Sequence, residues 1–277
     1  MNLYLISHNG LGDNLFMVGA INFLLKFYNK IHFICKKKYV NNVILFFINN
    51  LNIILIPFDK VNTYIDEVNS IKNIISDKYD NVNNDIFICG RHKDHMKSKI
   101  TNIKFLNYTI IDKKYTIDYD TLTSENYKFI EKFYTDINLN LTYFYEYFDI
   151  PDTKFSIYLY NSIKSYYIIF IQLKSSDNKE LNISNILNKY LYDSNTILIC
   201  NDNNLYNIND NKIKYNICQQ FVYNKIVYYK DTILNSDEIY IIDSCFIGII
   251  LLYLKTNRLK TNKVRIILRS SVNNIIL

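Results

Sequence analysis

Ser7-His8-Asn9-Gly10-Leu11-Gly12-Asp13-Asn14-Leu15-Phe16 is the stretch on which the reading of this chain turns. The residues before it, 2–6, carry strand-type side chains. From Asp13 onward, Leu15, Phe16, Val18, Gly19, Ala20, Phe23, Leu24 and Phe27 recur at helical spacing. A strand, a glycine turn and a helix follow, with Asp13 or a neighbour capping the helix. The chain holds only 5 glycines, and two of them flank Leu11, so the backbone there must be tight. Such a turn presents unpaired N–H groups beside a positive dipole end, which suits an anionic ligand. Asp13 places a carboxylate at that mouth. It reads either as a helix cap or as a general base that accepts a proton from a substrate hydroxyl.

The alternation continues outward from this stretch. Residues 30–35 read as a strand, 39–50 as a helix and 52–57 as a strand. Tyr64, Ile65, Val68, Ile71, Ile74 and Ile75 share a helical face, and 85–89 form a fourth strand that ends at Gly90. A parallel sheet with helical crossovers follows from that order. Residues 121–148 are helix-rich, and Asp149-Ile150-Pro151-Asp152 marks a boundary between domains at 1–150 and 151–277. The second half repeats the pattern. It has strands at 166–171, 196–200, 238–243 and 264–268, helices at 179–192 and 244–255, and an irregular Asn-rich stretch after residue 200. The expected fold class is α/β, with two Rossmann-like domains.

Composition bounds the function. The 277 residues suit two domains, and 26 Tyr with 17 Phe supply enough apolar area for packed cores. Abundant Asn, Ile, Lys and Tyr follow AT-rich codon use, so Asn runs and the triplets at Asn107, Asn140 and Asn182 carry little functional weight. A net charge of +6 with scattered basic residues does not indicate nucleic acid. The 5 cysteines include no close pair, which fits buried thiols in a reducing, cytoplasmic setting. Residues 246–254 form the longest apolar run, too short for a membrane span.

In an open parallel sheet, ligands bind beyond the carboxyl ends of the strands. Two such places stand out in the second half. Gln172-Leu173-Lys174-Ser175-Ser176-Asp177 offers a cation, hydroxyls and amides to a phosphate, or else ordinary capping. Asp243-Ser244-Cys245-Phe246 offers a hydroxyl and amides at a helix start to a diphosphate oxygen.

Taken together, these sites give the chain a resemblance to the two-domain GT-B glycosyltransferases, the heptosyltransferase-like and α1,2-fucosyltransferase-like groups in particular. Gly10-Leu11-Gly12-Asp13-Asn14-Leu15-Phe16 resembles the Gly-x-Gly-Asp turn of heptosyltransferases and the Gly-Leu-Gly-Asn-Gln start of fucosyltransferases. Asp243-Ser244 resembles the heptosyltransferase Asp-Thr-Gly donor motif, and Ser244-Cys245-Phe246 the fucosyltransferase Ser-x-Phe pattern. Gln172 to Asp177 has the spacing of the fucosyltransferase His-x-Arg-Arg-x-Asp motif, with Gln172, Lys174 and Ser175 standing for the histidine and the arginines.

The resemblance implies an inverting, metal-independent glycosyltransferase with a ligand cleft between its domains. Asp13 would be the base. Gln172, Lys174, Ser175, Ser176, Asp243, Ser244, Cys245 and Phe246 would hold a nucleotide-diphosphate sugar, which is a substrate; no cofactor is expected. Gly10, Gly12 and Asn14 would face a glycan or other hydroxyl acceptor; Arg91 and His92 are expected on that acceptor side from their own position, in the polar cluster that follows the fourth strand. The alternative is a catalytically silent GT-B-like module that binds a glycan or a protein.

Three other features read more plainly. His92 and His95 have helical metal-pair spacing without further ligands nearby. Asp118-Tyr119-Asp120 is similar to the metal-binding Asp-x-Asp of the other glycosyltransferase fold but lies in a polar connection, and it reads as solvated surface. No Gly-x-Ser-x-Gly elbow or Walker sequence is present.

Overall fold

The computed structural model describes residues 1–7, 10–59, 61, 63–78, 84–90 and 124–267. His8, Asn9, the 91–95 cluster and the 118–120 triplet lie outside the described residues. The chain divides into two compact units, Met1–Pro151 and Asp152–Leu277.

The first unit runs β1 (Asn2–Ile6), α1 (Leu11–Phe16), α2 (Val18–Leu24), β2 (Lys30–Lys36), α3 (Val40–Phe46), β3 (Ile53–Phe58), α4 (Tyr64–Lys78), β4 (Asn84–Ile88), α5 (Ser124–Asp136) and α6 (Thr142–Tyr147). Among the described residues its strands form one parallel sheet in the order β3-β2-β1-β4. Parallel strands need helical crossovers and are covered on both faces, so they are apolar nearly throughout. The sequence supplies that: Leu3 and Leu5 point to one face, Tyr4 and Ile6 to the other. Tyr4 and Ile6 join Ile34, Ile56, Ile86 and Ile88 in a core closed by Val68, Ile71 and Ile75 of α4. Each such aliphatic side chain contributes about 1.5–3 kcal/mol on full burial.

The second unit runs α7 (Lys154–Asn161), β5 (Tyr167–Gln172), α8 (Ser184–Tyr190), β6 (Thr196–Cys200), α9 (Lys212–Gln219), a 3-10 turn (Ile226–Tyr229), α10 (Lys230–Leu234), β7 (Glu238–Ile242), α11 (Ile247–Lys255) and β8 (Val264–Ile267). Its described strands are again parallel, in the order β6-β5-β7-β8. α11 is apolar all round, and Ile249, Ile250, Leu251 and Leu252 are buried.

Several elements differ from the sequence expectation, each for a local reason. The first helix starts at Leu11 and is interrupted at Met17. The helix expected over 179–192 starts at Ser184, because residues 173–181 close into a loop through Ser175 N–H to Lys179 O and Leu181 N–H to Leu173 O. The stretch expected to be irregular after residue 200 contains α9 and α10; Asn211 caps α9 by accepting from Lys214 N at 3.1 Å. Among the described residues, backbone turns with positive φ fall on Asn138, Asn178, Tyr223 and Asn257, at 58°, 62°, 57° and 54°, and on Gly90 at 72°. Among the described residues no helix is long and apolar enough to cross a membrane, and every cysteine is a free thiol.

Candidate functional site

Each sheet reverses its order of strand addition beside its first strand. β1 lies between β2 and β4, and β5 between β6 and β7. Connections leaving such a pair pass to opposite faces of the sheet and open a crevice at the carboxyl ends. In the first unit Ser7 follows β1 and Gly90 follows β4 at those carboxyl ends, and Gly10 opens α1. In the second, Gln172 ends β5 and Asp243-Ser244 follow β7.

Side chains of this stretch fasten Ser7 to the start of α1. Gly10 is the N-cap of α1 and Asp13 its third residue. The Gly10 N–H donates to Asp13 Oδ2 at 2.6 Å. This is the reach-back half of a capping box. Gly10 has an ordinary extended backbone, so its lack of a side chain answers a different need. A Cβ there would sit 2.6 Å from Asp13 Oδ2 and 3.2 Å from Asp13 Cγ. Gly12 follows in the first turn of α1 and is half-buried. Asn14, expected to face an acceptor, is buried at 1% exposure. Its Nδ2 donates to Gly10 O at 2.6 Å, and its Oδ1 accepts from Ser7 Oγ at 3.1 Å. Asn14 therefore fastens the strand end to the helix start.

In the second unit the two stretches singled out in the sequence meet. Ser244 Oγ donates to Gln172 Oε1, and Gln172 Nε2 donates to Lys174 O at 2.9 Å. Both side chains are buried. Ser244 Oγ also accepts from Phe246 N at 3.4 Å, just before α11 begins. Lys174 is half-exposed, and its Nζ lies 3.4 Å from Glu180 Oε2. Ser175 is buried; its Oγ donates to Asp177 Oδ1 and accepts from Lys179 N at 3.1 Å, closing the loop on itself. Ser176 is exposed and Cys245 half-buried. Asp243 donates its N–H to Ile267 O at 2.8 Å. Phe246, expected to line the donor site, is 3% exposed and packs edge-on against Phe170 and Tyr229.

Asp202 is the residue at this edge that sequence reasoning missed. Its Oδ2 accepts from Leu173 N at 3.1 Å and from Lys174 N at 2.9 Å, so the strand end after β6 holds the strand end after β5. Burial pushes its carboxyl above the ordinary aspartate value, against the pull of the Lys174 and Leu173 amides. Its position two residues after a strand was the available signal, hidden in an Asn-rich run. The opposite end of the sheet carries another buried acid, Glu238. It accepts from Tyr240, Tyr167 and Tyr190 hydroxyls at 2.7, 2.9 and 3.2 Å and from Lys263 Nζ at 3.2 Å. Burial raises its pKa, but the hydrogen bonds from Tyr240, Tyr167 and Lys263 outweigh burial and hold the carboxyl below its ordinary value.

Arg91 and His92 fall outside the described residues. Among the described residues no group of three His, Cys, Asp or Glu side chains is arranged to hold a metal ion.

No protein-family model matches this chain, and no curated protein matches it in sequence. Two solved structures share its fold. The glycosyl transferase family 9 protein from Veillonella parvula aligns with 90% of this chain and 76% of its own at 12% identity and a TM-score of 0.52. The ADP-heptose LPS heptosyltransferase II of E. coli aligns with 100% of this chain and 95% of its own at 12% identity and a TM-score of 0.54. The fold is that of the heptosyltransferase-like GT-B proteins, two α/β units each built on a parallel sheet.

Proposed function

We propose that this protein is an inverting, metal-independent glycosyltransferase that moves a sugar from a nucleotide-diphosphate sugar to a hydroxyl acceptor. The observation that carries the reading is that a fold shared with two glycosyltransferase structures has polar, ordered strand ends at both of its switch points. Asp13 takes the proton of the acceptor hydroxyl while that oxygen bonds to the anomeric carbon and the bond to the diphosphate breaks. A carboxylate has acceptor sites on both oxygens, so the bond from Gly10 is compatible with that role. Asn14 shapes the turn, and Gly10 leaves room for the carboxylate. In the second unit Lys174, Ser176, Ser244 and the amides before α11 stabilise the charge that grows on the leaving diphosphate.

A second reading, a catalytically silent module that binds a glycan or a protein, is favoured by one observation. Ser244 already donates to Gln172, and Lys174 already pairs with Glu180. Calorimetry with uridine, guanosine, adenosine and thymidine diphosphates separates the two. Binding of one of them, with sugar transfer that persists in excess chelator, supports the enzyme. No binding at millimolar concentration leaves the silent module.

A further inference from the structure

The joint between α1 and α2 is made by a residue more than a hundred positions away. In a continuous helix the Ala20 N–H would donate to the Phe16 carbonyl four residues before it. Here Ala20 N donates to the Tyr134 hydroxyl at 3.0 Å, and that hydroxyl donates to Phe16 O at 3.0 Å. A side chain inserted into the hydrogen-bond ladder is one of the identifiable causes of a helix break. The backbone agrees, because Met17 has φ −80° and ψ −7°, well off the helical ψ. Tyr134 is fully buried, so its hydroxyl must be paired, and the joint supplies both partners. Gly19 makes the approach possible: a Cβ there would lie 2.9 Å from the Tyr134 hydroxyl and 2.6 Å from Tyr143 O.

The same end of α5 holds the neighbouring strand end. Asp136 Oδ2 accepts from Gly90 N at 2.8 Å, just after β4. The last turn of α5 therefore touches both sides of the first unit's switch point, the α1 segment that carries Asp13 and the turn after β4.

We infer that Tyr134 is a positioning residue for Asp13, setting the direction of α1 by holding open the break at Met17. The inference rests on the proposed role of Asp13 for its effect on transfer, but not for its effect on the turn. Tyr134→Phe keeps the buried ring and removes only the hydroxyl, allowing Ala20 N–H to close directly on Phe16 O. Amide hydrogen exchange followed by NMR in the full chain should show faster exchange at Gly10 and Asn14 and slower exchange at Ala20. Asp136→Ala should speed exchange at Gly90 and leave Gly10 and Ala20 unchanged. Where transfer is measurable, Tyr134→Phe should lower kcat by about tenfold to a hundredfold, the scale of an ångström-size misplacement, with the donor KM unchanged.

Unchanged exchange at Gly10 and Ala20 overturns the inference whatever the activity. So does a uniform loosening of the first unit by both variants, which would make α5 simply part of the core. The expected exchange pattern in a protein that transfers no sugar leaves the positioning intact and removes the glycosyltransferase reading instead.

Discussion

Both units fasten their switch points with the same parts drawn from different distances along the chain. In the first, the Ser7 hydroxyl donates to the Asn14 amide oxygen, the Asn14 amide nitrogen donates to Gly10 O, and Asp13 receives the Gly10 N–H. In the second, the Ser244 hydroxyl donates to the Gln172 amide oxygen, the Gln172 amide nitrogen donates to Lys174 O, and Asp202 receives the Leu173 and Lys174 N–H groups. The serine and the amide are 7 residues apart in the first case and 72 in the second. A local fastening can form with its own turn, whereas the distant one waits until β5, β6 and β7 lie side by side. The first strand end is thus ordered by its own sequence and the second by the assembled sheet.

The largest expected effect tests whether the first turn is chemical as well as structural. Asp13→Ala should lower transfer by roughly a hundredfold to ten-thousandfold, the usual contribution of a general base, and leave nucleotide binding as it was. Full transfer by this variant, measured with a saturating donor, would leave Asp13 as a cap alone.

Next comes the donor side. Lys174→Ala with Ser244→Ala should weaken nucleotide diphosphate affinity by about tenfold or more, each power of ten being about 1.4 kcal/mol. If calorimetry finds that loss in Arg91→Ala and normal binding in the double variant, the roles of the two units are reversed.

The comparison itself is sharpened by stability. Asp202→Ala leaves two amides without their acceptor and should cost about 1–3 kcal/mol in urea unfolding. Asp13→Ala removes one capping bond, and about 0.5–2 kcal/mol is expected. Equal losses would mean that the distant fastening holds no more of the fold than the local one.

The smallest effect is a pH dependence of opposite sign at the two ends of the second sheet. Glu238 has a depressed pKa, so its stabilisation is present above the ordinary value of 4.5 and is lost as pH falls through its folded value. Glu238→Gln should therefore be less stable than the parent near about pH 6, with the gap narrowing toward about pH 3. Asp202 has a raised pKa: its burial as an anion opposes folding at neutral pH, and protonation relieves this as pH falls. A Glu238→Gln gap that widens on acidification would reverse the sign assigned here.

These distances also explain what could be read from the chain and what could not. Strands declared themselves through uninterrupted apolar runs such as Thr196–Cys200, whose bounds match the expectation. The Gly10 to Asn14 turn was legible because every partner in it lies within one short stretch. Asp202 was not, since the amides it accepts from are 28 and 29 residues earlier. Tyr134 was hidden more deeply: its ring fits a helical core pattern, and nothing local marks its hydroxyl as a partner of Phe16 and Ala20. The interruption at Met17 was hidden with it, because the apolar spacing runs straight through the joint.

The left-handed turns at Asn138, Asn178 and Asn257 carry a consequence for how this sequence can drift. Asparagine enters that backbone region more readily than other side chains, and glycine enters it freely. At these positions glycine meets the same backbone requirement that asparagine meets. Gly10 and Gly19 are different, because a Cβ would strike the Asp13 carboxylate at the first and the Tyr143 backbone at the second. In a chain with only 5 glycines, those at these two positions mark where vacant space, and not freedom of rotation, is needed.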